Sequence, residues 1–258
     1  MSDPRELLER YLRQRRELGE REVVFEHLTA HELRGLYTHR RAPPPPMELP
    51  APGAPMRPSE DAPAPYAPAR EIIRLPTLDA VREVALGCPR CRLAETRRQV
   101  VFGEGNPQAD VLVVGEAPGE EEDRTGRPFV GRAGKLLDLL LASVGLAREA
   151  VYICNVLKCR PPGNRNPQPD EVEACSPYLL RQVELVRPKV VAAFGTFAAQ
   201  TLLGTTTSIG RLRGQVHQFQ GVPLVPTYHP AALLRHPAWV RPTWDDLQRL
   251  REVLDRAR

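Results

Sequence analysis

Asp110-Val111-Leu112-Val113-Val114-Gly115 is an apolar run of strand length that stops on a glycine, and Glu116-Ala117-Pro118-Gly119 after it is polar and turn-forming. A short continuous apolar run bounded by turn residues marks a strand buried on both faces. A helical pattern over residues 132–144 follows, and the alternation then repeats. Residues 151–157 form a second apolar run, 189–194 a third that feeds helical residues 196–203, and 222–227 a fourth that leads into residues 230–234. Strands alternating with helices predict a three-layer α/β/α domain around a central, mostly parallel four-stranded sheet. Ligands of such sheets sit beyond the carboxyl ends of the strands. The polar motifs fall there: Gly115–Gly119 after the first strand, Asn155 at the second and His229-Pro230 after the fourth.

Upstream of this domain the composition changes. Residues 1–42 carry a helical pattern, with Leu7, Leu8, Tyr11, Leu12 and Leu18 among Arg and Glu, and predict a helical N-terminal extension. Residues 43–70 are rich in Pro and Ala, beginning with Pro43-Pro44-Pro45-Pro46, and predict an extended linker before the α/β domain over 71–258. The 258 residues are 41% hydrophobic and 26% charged, enough for one sizeable core with an appendage. The net charge of +4 is mild and nearly all the positive charge is Arg, the better phosphate clamp. No apolar leader opens the chain and no apolar run is long enough to span a bilayer, so a reducing cytoplasmic setting and no membrane partner are expected.

Cys88-Pro-Arg-Cys91 places two sulfurs on one tight turn, and Cys159 and Cys175 supply two more from far downstream. Four thiolates match a [4Fe–4S] cluster or a structural zinc ion, and a reducing compartment argues against disulfides. Zinc sites usually pair two close knuckles, whereas the third and fourth cysteines here are widely separated singles, which favours iron–sulfur. Cys154, inside the second apolar run, is read as a small core residue.

Four motifs occur in order: Gly115-Glu116-Ala117-Pro118-Gly119-Glu120-Glu121-Glu122-Asp123, Gly126-Arg127-Pro128-Phe129-Val130-Gly131, Asn155-Val156-Leu157-Lys158-Cys159-Arg160-Pro161-Pro162-Gly163-Asn164-Arg165, and His229-Pro230-Ala231-Ala232-Leu233-Leu234-Arg235. Together with the interleaved cysteines they resemble the family 4, iron–sulfur uracil-DNA glycosylases over roughly residues 77–258. The resemblance implies that fold and a monofunctional hydrolase that cuts the N-glycosidic bond of uracil in DNA to start base excision repair. It also implies a [4Fe–4S] cluster on Cys88, Cys91, Cys159 and Cys175.

Breaking that bond creates an oxocarbenium-like sugar and a uracil anion, so the site needs a carboxylate near the sugar and donors near the base. The resemblance assigns catalysis to Glu116 and His229, and uracil binding to Gly115, Ala117, Glu122, Phe129, Asn155 and His229. Phe129 is the stacking platform for a flipped base, Asn155 reads O4 and N3–H, and His229 donates to O2. Family 1 enzymes carry an Asp where this chain has Ala117 and a thymine-blocking Tyr where it has Gly119. Glu122 is therefore expected to exclude the methyl group. Arg211, Arg213 and Arg235 are expected on DNA phosphates and Leu233 as the wedge that fills the gap left by the flipped nucleotide.

The expected partner is uracil-containing DNA, single- or double-stranded, met by a monomer at the nucleoid, with residues 1–42 as a docking element for a repair or replication protein. Three other readings use the same motifs. A glycosylase-lyase would need an amine, and Lys158 is the only lysine near a motif. A relative that crosslinks to the abasic sugar carries Gly-Glu-Gln-Pro-Gly as its first motif, where Ala117 stands here. A non-catalytic iron–sulfur DNA-binding protein would not need the Glu116, Asn155 and His229 set.

Overall fold

The computed structural model describes residues 69–257, which fall within a compact unit running from Pro65 to Arg258. The expected N-terminal extension and nearly all of the linker lie outside the described residues. The exception is residues 69 and 70, which open helix α1 (Ala69–Ile72).

Four parallel strands form the middle of the sheet, as the apolar runs predict: β2 (Val111–Gly115), β3 (Tyr152–Asn155), β4 (Val190–Phe194) and β6 (Val222–Thr227). The sheet has six strands rather than four, in the order β1-β3-β2-β4-β6-β5. The added strands, β1 (Glu104–Gly105) and β5 (His217–Phe219), are short and pair antiparallel at the two edges. Short edge strands are a common way to end a sheet without offering a long unpaired ladder.

Side chains alternate between two apolar layers, as a strand period of two requires. Leu112, Val114, Tyr152, Cys154, Val191 and Ala193 face one layer. That layer is packed by α1, α2 (Leu78–Leu86), α5 (Pro169–Val186) and α6 (Thr196–Leu203). Val111, Val113, Ile153, Ala192 and Phe194 face the other, packed by α4 (Arg132–Ala142) and α9 (Val240–Arg256). Cys154 is fully buried in the first layer. Three short helices, α3 (Glu120–Thr125), α7 (Ile209–Leu212) and α8 (Pro230–Leu233), line the ends of the strands. Among the described residues no helix is long and apolar enough to cross a membrane.

Candidate active site

The carboxyl ends of β2 and β3 lie side by side, with Gly115 in register with Asn155. A cavity of about 380 Å³ opens above them and is lined by Glu116, Ala117, Glu122, Phe129, Asn155, His229 and Arg235, among others. Gly115 lies behind it. A Cβ there would come within 2.3 Å of Asn155 Oδ1 and 2.5 Å of Phe129 Cζ, so only glycine lets the amide and the ring share this corner.

Asn155 is 2% exposed, and its Oδ1 is a buried acceptor with no hydrogen-bond partner among the described residues. Buried polar atoms are nearly always satisfied, so an unpaired one on a residue that lines a cavity marks where a donor from a ligand belongs. Phe129 is also buried, its ring 5.5 Å from that of His229, and its backbone is left-handed at φ 49°. A non-glycine residue in that region is strained, by roughly 1–3 kcal/mol. Arg148 holds it there: its guanidinium donates to the carbonyls of Pro128 (2.6 Å) and Phe129 (3.1 Å) and pairs with Glu104 (2.8 Å) and Asp138 (2.7 Å). Sequence reasoning missed Arg148, because its partners come from three separate segments.

Glu116 lies just past β2, and burial raises its carboxyl to about 7. A group with that pKa exchanges a proton readily at neutral pH. Glu122 is tied down instead. One oxygen accepts from Gly119 N–H (3.1 Å) and the other from Val130 and Gly131 N–H (2.9 Å each), joining the first motif to the segment that carries Phe129. Burial, and secondarily Arg235, pulls His229 down to about 4, so the ring is neutral at physiological pH. Its Nδ1 accepts from Ala231 N–H at 3.1 Å. The ring proton therefore sits on Nε2, which makes His229 a donor.

The residues expected to touch DNA separate into two groups. Arg211 is exposed, and Arg235 is exposed at the cavity mouth. Arg213 is instead engaged with buried Asp246 through Nε (2.9 Å) and Nη2 (3.0 Å) and also donates to Pro242 O (2.6 Å). That geometry leaves it a frame residue rather than a phosphate clamp. Leu233 is 2% exposed in the apolar layer under α4 and α9, whereas Leu234 is 43% exposed. One residue along a helical turn rotates the side chain by about 100°, and that rotation moves the surface leucine from 233 to 234.

Cys159 and Cys175 lie in the first apolar layer, and Cys88 and Cys91 pack against it. Cys88 lies close enough to raise the thiols of Cys91, Cys159 and Cys175, and burial is the larger effect on each, lifting Cys159 to about 11 and Cys175 to about 12. Arg97 donates to Cys159 Sγ at 3.3 Å and to Cys88 O at 2.7 Å, and Lys158 N–H donates to Cys175 Sγ at 3.3 Å. Donors aimed at sulfur oppose the effect of burial, and four thiols are the ligand type that an iron–sulfur group takes. Among the described residues no three His, Cys, Asp or Glu side chains form a group that could hold a metal ion. Glu171, fully buried, connects this region to the cavity rim. It accepts from Arg92 (3.0 Å), beside Cys91, and from Arg165, which lines the cavity (2.9 and 2.5 Å). These charges hold its carboxyl down at about 2.

Residues 102–248 match the model of the uracil DNA glycosylase superfamily. The chain is 46% identical over 183 residues to a type-4 uracil-DNA glycosylase of Archaeoglobus fulgidus, covering 68% of this chain and 92% of that one. A type-4 uracil-DNA glycosylase of Thermotoga maritima is 48% identical over 161 residues, 62% of this chain and 84% of that one. A type-5 uracil-DNA glycosylase of Thermus thermophilus is more distant, 35% identical over 144 residues, 50% of this chain and 65% of that one. With the fold, the cavity and these matches in agreement, the chain belongs to the uracil DNA glycosylase superfamily, in its type-4 branch.

Proposed function

We propose that this protein is a monofunctional uracil-DNA glycosylase that removes uracil from DNA by hydrolysis and so starts base excision repair. The observation that carries the reading is the open, buried Oδ1 of Asn155. It accepts the N3–H of a flipped uracil while Nδ2 donates to O4; cytosine presents the opposite pattern and leaves both unpaired. Phe129 stacks on the base. Glu122, bridging the loops beside Gly119, narrows the space where a thymine methyl would lie.

The N1–C1′ bond breaks as water attacks C1′. Glu116, in its ionised form, orients that water, offsets the positive charge on the sugar and takes the water's proton. The electron pair of the broken bond leaves with uracil, and the Nε2–H of neutral His229 donates to O2, where the negative charge gathers. Products are free uracil and an abasic site. Lys158 is no nucleophile for a lyase: it is 2% exposed and its Nζ donates to Asn155 O and Gln182 Oε1. Arg211, Arg235 and exposed Leu234 are the DNA-facing residues, with Leu234 in the wedge role.

Cys88, Cys91, Cys159 and Cys175 would hold a [4Fe–4S] cluster, which when bound supplies a fold-stabilising crosslink rather than chemistry at the sugar. The protein would act as a monomer in the cytoplasm, at the nucleoid, with residues 1–42 binding a repair or replication protein. The test is incubation of purified protein with a labelled oligonucleotide carrying one uracil, then alkali and gel separation. Alkali-dependent breakage at uracil, and none at thymine or cytosine, is the expected result. Intact DNA from cluster-loaded protein would leave a DNA-binding module, and breakage without alkali would establish a lyase.

A further inference from the structure

Lys158 is a buried ammonium that the proposed chemistry does not use. Its Nζ donates to the main-chain oxygen of Asn155 at 2.7 Å and to Gln182 Oε1 at 2.5 Å, and it lies 6.0 Å from the centre of the Phe102 ring. Gln182 is itself fixed: its Nε2 donates to Phe102 O (2.8 Å) and to Tyr152 Oη (3.3 Å), which turns Oε1 toward the lysine. Along the main chain, Lys158 N–H meets Cys175 Sγ, and Lys158 O accepts from Val101 N–H at 2.8 Å. Among the described residues no carboxylate pairs with it.

Taking an ammonium out of water is costly, and an apolar side chain of the same length would fill this space without that cost. What the ammonium adds is direction. Asn155 is the last residue of β3, and the next two N–H groups, of Val156 and Leu157, turn across to Gly115 O and Glu116 O (3.0 Å each). The Asn155 carbonyl is thus at the point where the strand ladder gives way to a turn, and the lysine captures it. Fixing that peptide plane fixes the Cα from which the uracil-reading amide projects.

We propose that Lys158 is a positioning residue that locks the Asn155 amide in register with uracil and ties it to the segment bearing Cys159 and Cys175. The proposal rests on the reading of Asn155 as the uracil-recognising group. Site groups must be held within about 0.5 Å of their productive placement. A shift of about 1 Å costs roughly 100-fold in rate.

The test uses the full chain with its cluster loaded, carrying Lys158→Met alone, Asn155→Ala alone, and both. Four quantities are measured: kcat/KM on uracil-containing oligonucleotide, inhibition by free uracil, affinity for abasic-site DNA, and iron and sulfide content. Lys158→Met is expected to lower kcat/KM by about 10- to 100-fold. Inhibition by free uracil should weaken by a similar factor, while abasic-site affinity and iron content stay at the wild-type level. On the Asn155→Ala background the lysine substitution should add nothing, because both act through one group. Unchanged uracil inhibition, or a loss fully additive with Asn155→Ala, overturns the proposal. Should Lys158→Met fail to fold, Gln182→Met, which removes the lysine's second anchor, must weaken uracil inhibition in the same direction, and no weakening there is equally fatal. Failure of the underlying reading has a separate signature: Asn155→Ala alone would leave uracil inhibition untouched.

Discussion

Two buried polar side chains, Asn155 and Asp246, are treated in opposite ways by the same fold. Asp246, on α9, is fully buried and every nearby donor is used: Arg213 twice, Gly214 N–H at 3.0 Å and Thr227 Oγ1 at 2.8 Å. Asn155, at the end of β3, keeps Oδ1 unpaired. Both sit near the carboxyl edge of the sheet, since Thr227 ends β6 just before His229. Saturated polar groups build the frame, and unsaturated ones are reserved for something that arrives. Glu116 belongs with the open set, because burial lifts its carboxyl without supplying a cation.

The largest expected effect breaks the open side. Glu116→Gln should lower turnover by about 10²- to 10⁴-fold while leaving DNA affinity intact, measured by single-turnover kinetics and by binding. The pH profile sharpens the assignment. In the proposed mechanism Glu116 works ionised, so wild-type kcat/KM should rise as pH increases through about 7 and then level off. His229, held at about 4, stays neutral throughout and adds no limb in that range. A Glu116→Gln variant that retains the rise would assign the titration to another group.

The closed side should fail in stability instead. Asp246→Ala strips the partner from Arg213 and leaves the Thr227 hydroxyl and Gly214 N–H unmatched, for a loss of about 3 kcal/mol in urea unfolding, at the low end for a broken buried pair because Arg213 is partly exposed. Leu233→Ala should cost about 2–5 kcal/mol by opening a hole in the same layer as Leu247 and Leu250. The smallest effect belongs to its neighbour. Leu234→Ala should change stability by less than about 0.5 kcal/mol. It should slow excision from duplex DNA a few-fold and leave single strands unaffected, since only the duplex has a gap to fill. Equal losses on both substrates would remove Leu234 from the wedge role.

How much of this was legible in the sequence depended on how locally each feature is encoded. The four parallel strands announce themselves as apolar runs, and β6 falls on residues 222–227 as expected. Helices α5 and α9 went unnoticed because Pro177 falls inside one and Pro242 in the first turn of the other. The edge strands β1 and β5 are too short to carry a period. Glu116, Phe129, Asn155 and His229 sit in compact motifs and meet in one cavity as expected. Arg148, Glu171 and Asp246 were invisible because their roles exist only through contacts tens of residues apart, 44 for Arg148 with Glu104 and 79 for Arg92 with Glu171. Arg213 and Leu233 have the expected residue types, and the structure turns one onto Asp246 and the other into the apolar layer, a direction that sequence does not carry.

The left-handed backbone at Phe129, clamped by Arg148, also bears on search. A platform that had to order itself around each base would spend conformational entropy at every encounter, most of them with normal nucleotides. Here the ring is immobilised once, when the chain folds. With Phe129 in its proposed role as the platform, rejection of the wrong base is fast and reversible, because letting it go requires no protein segment to relax.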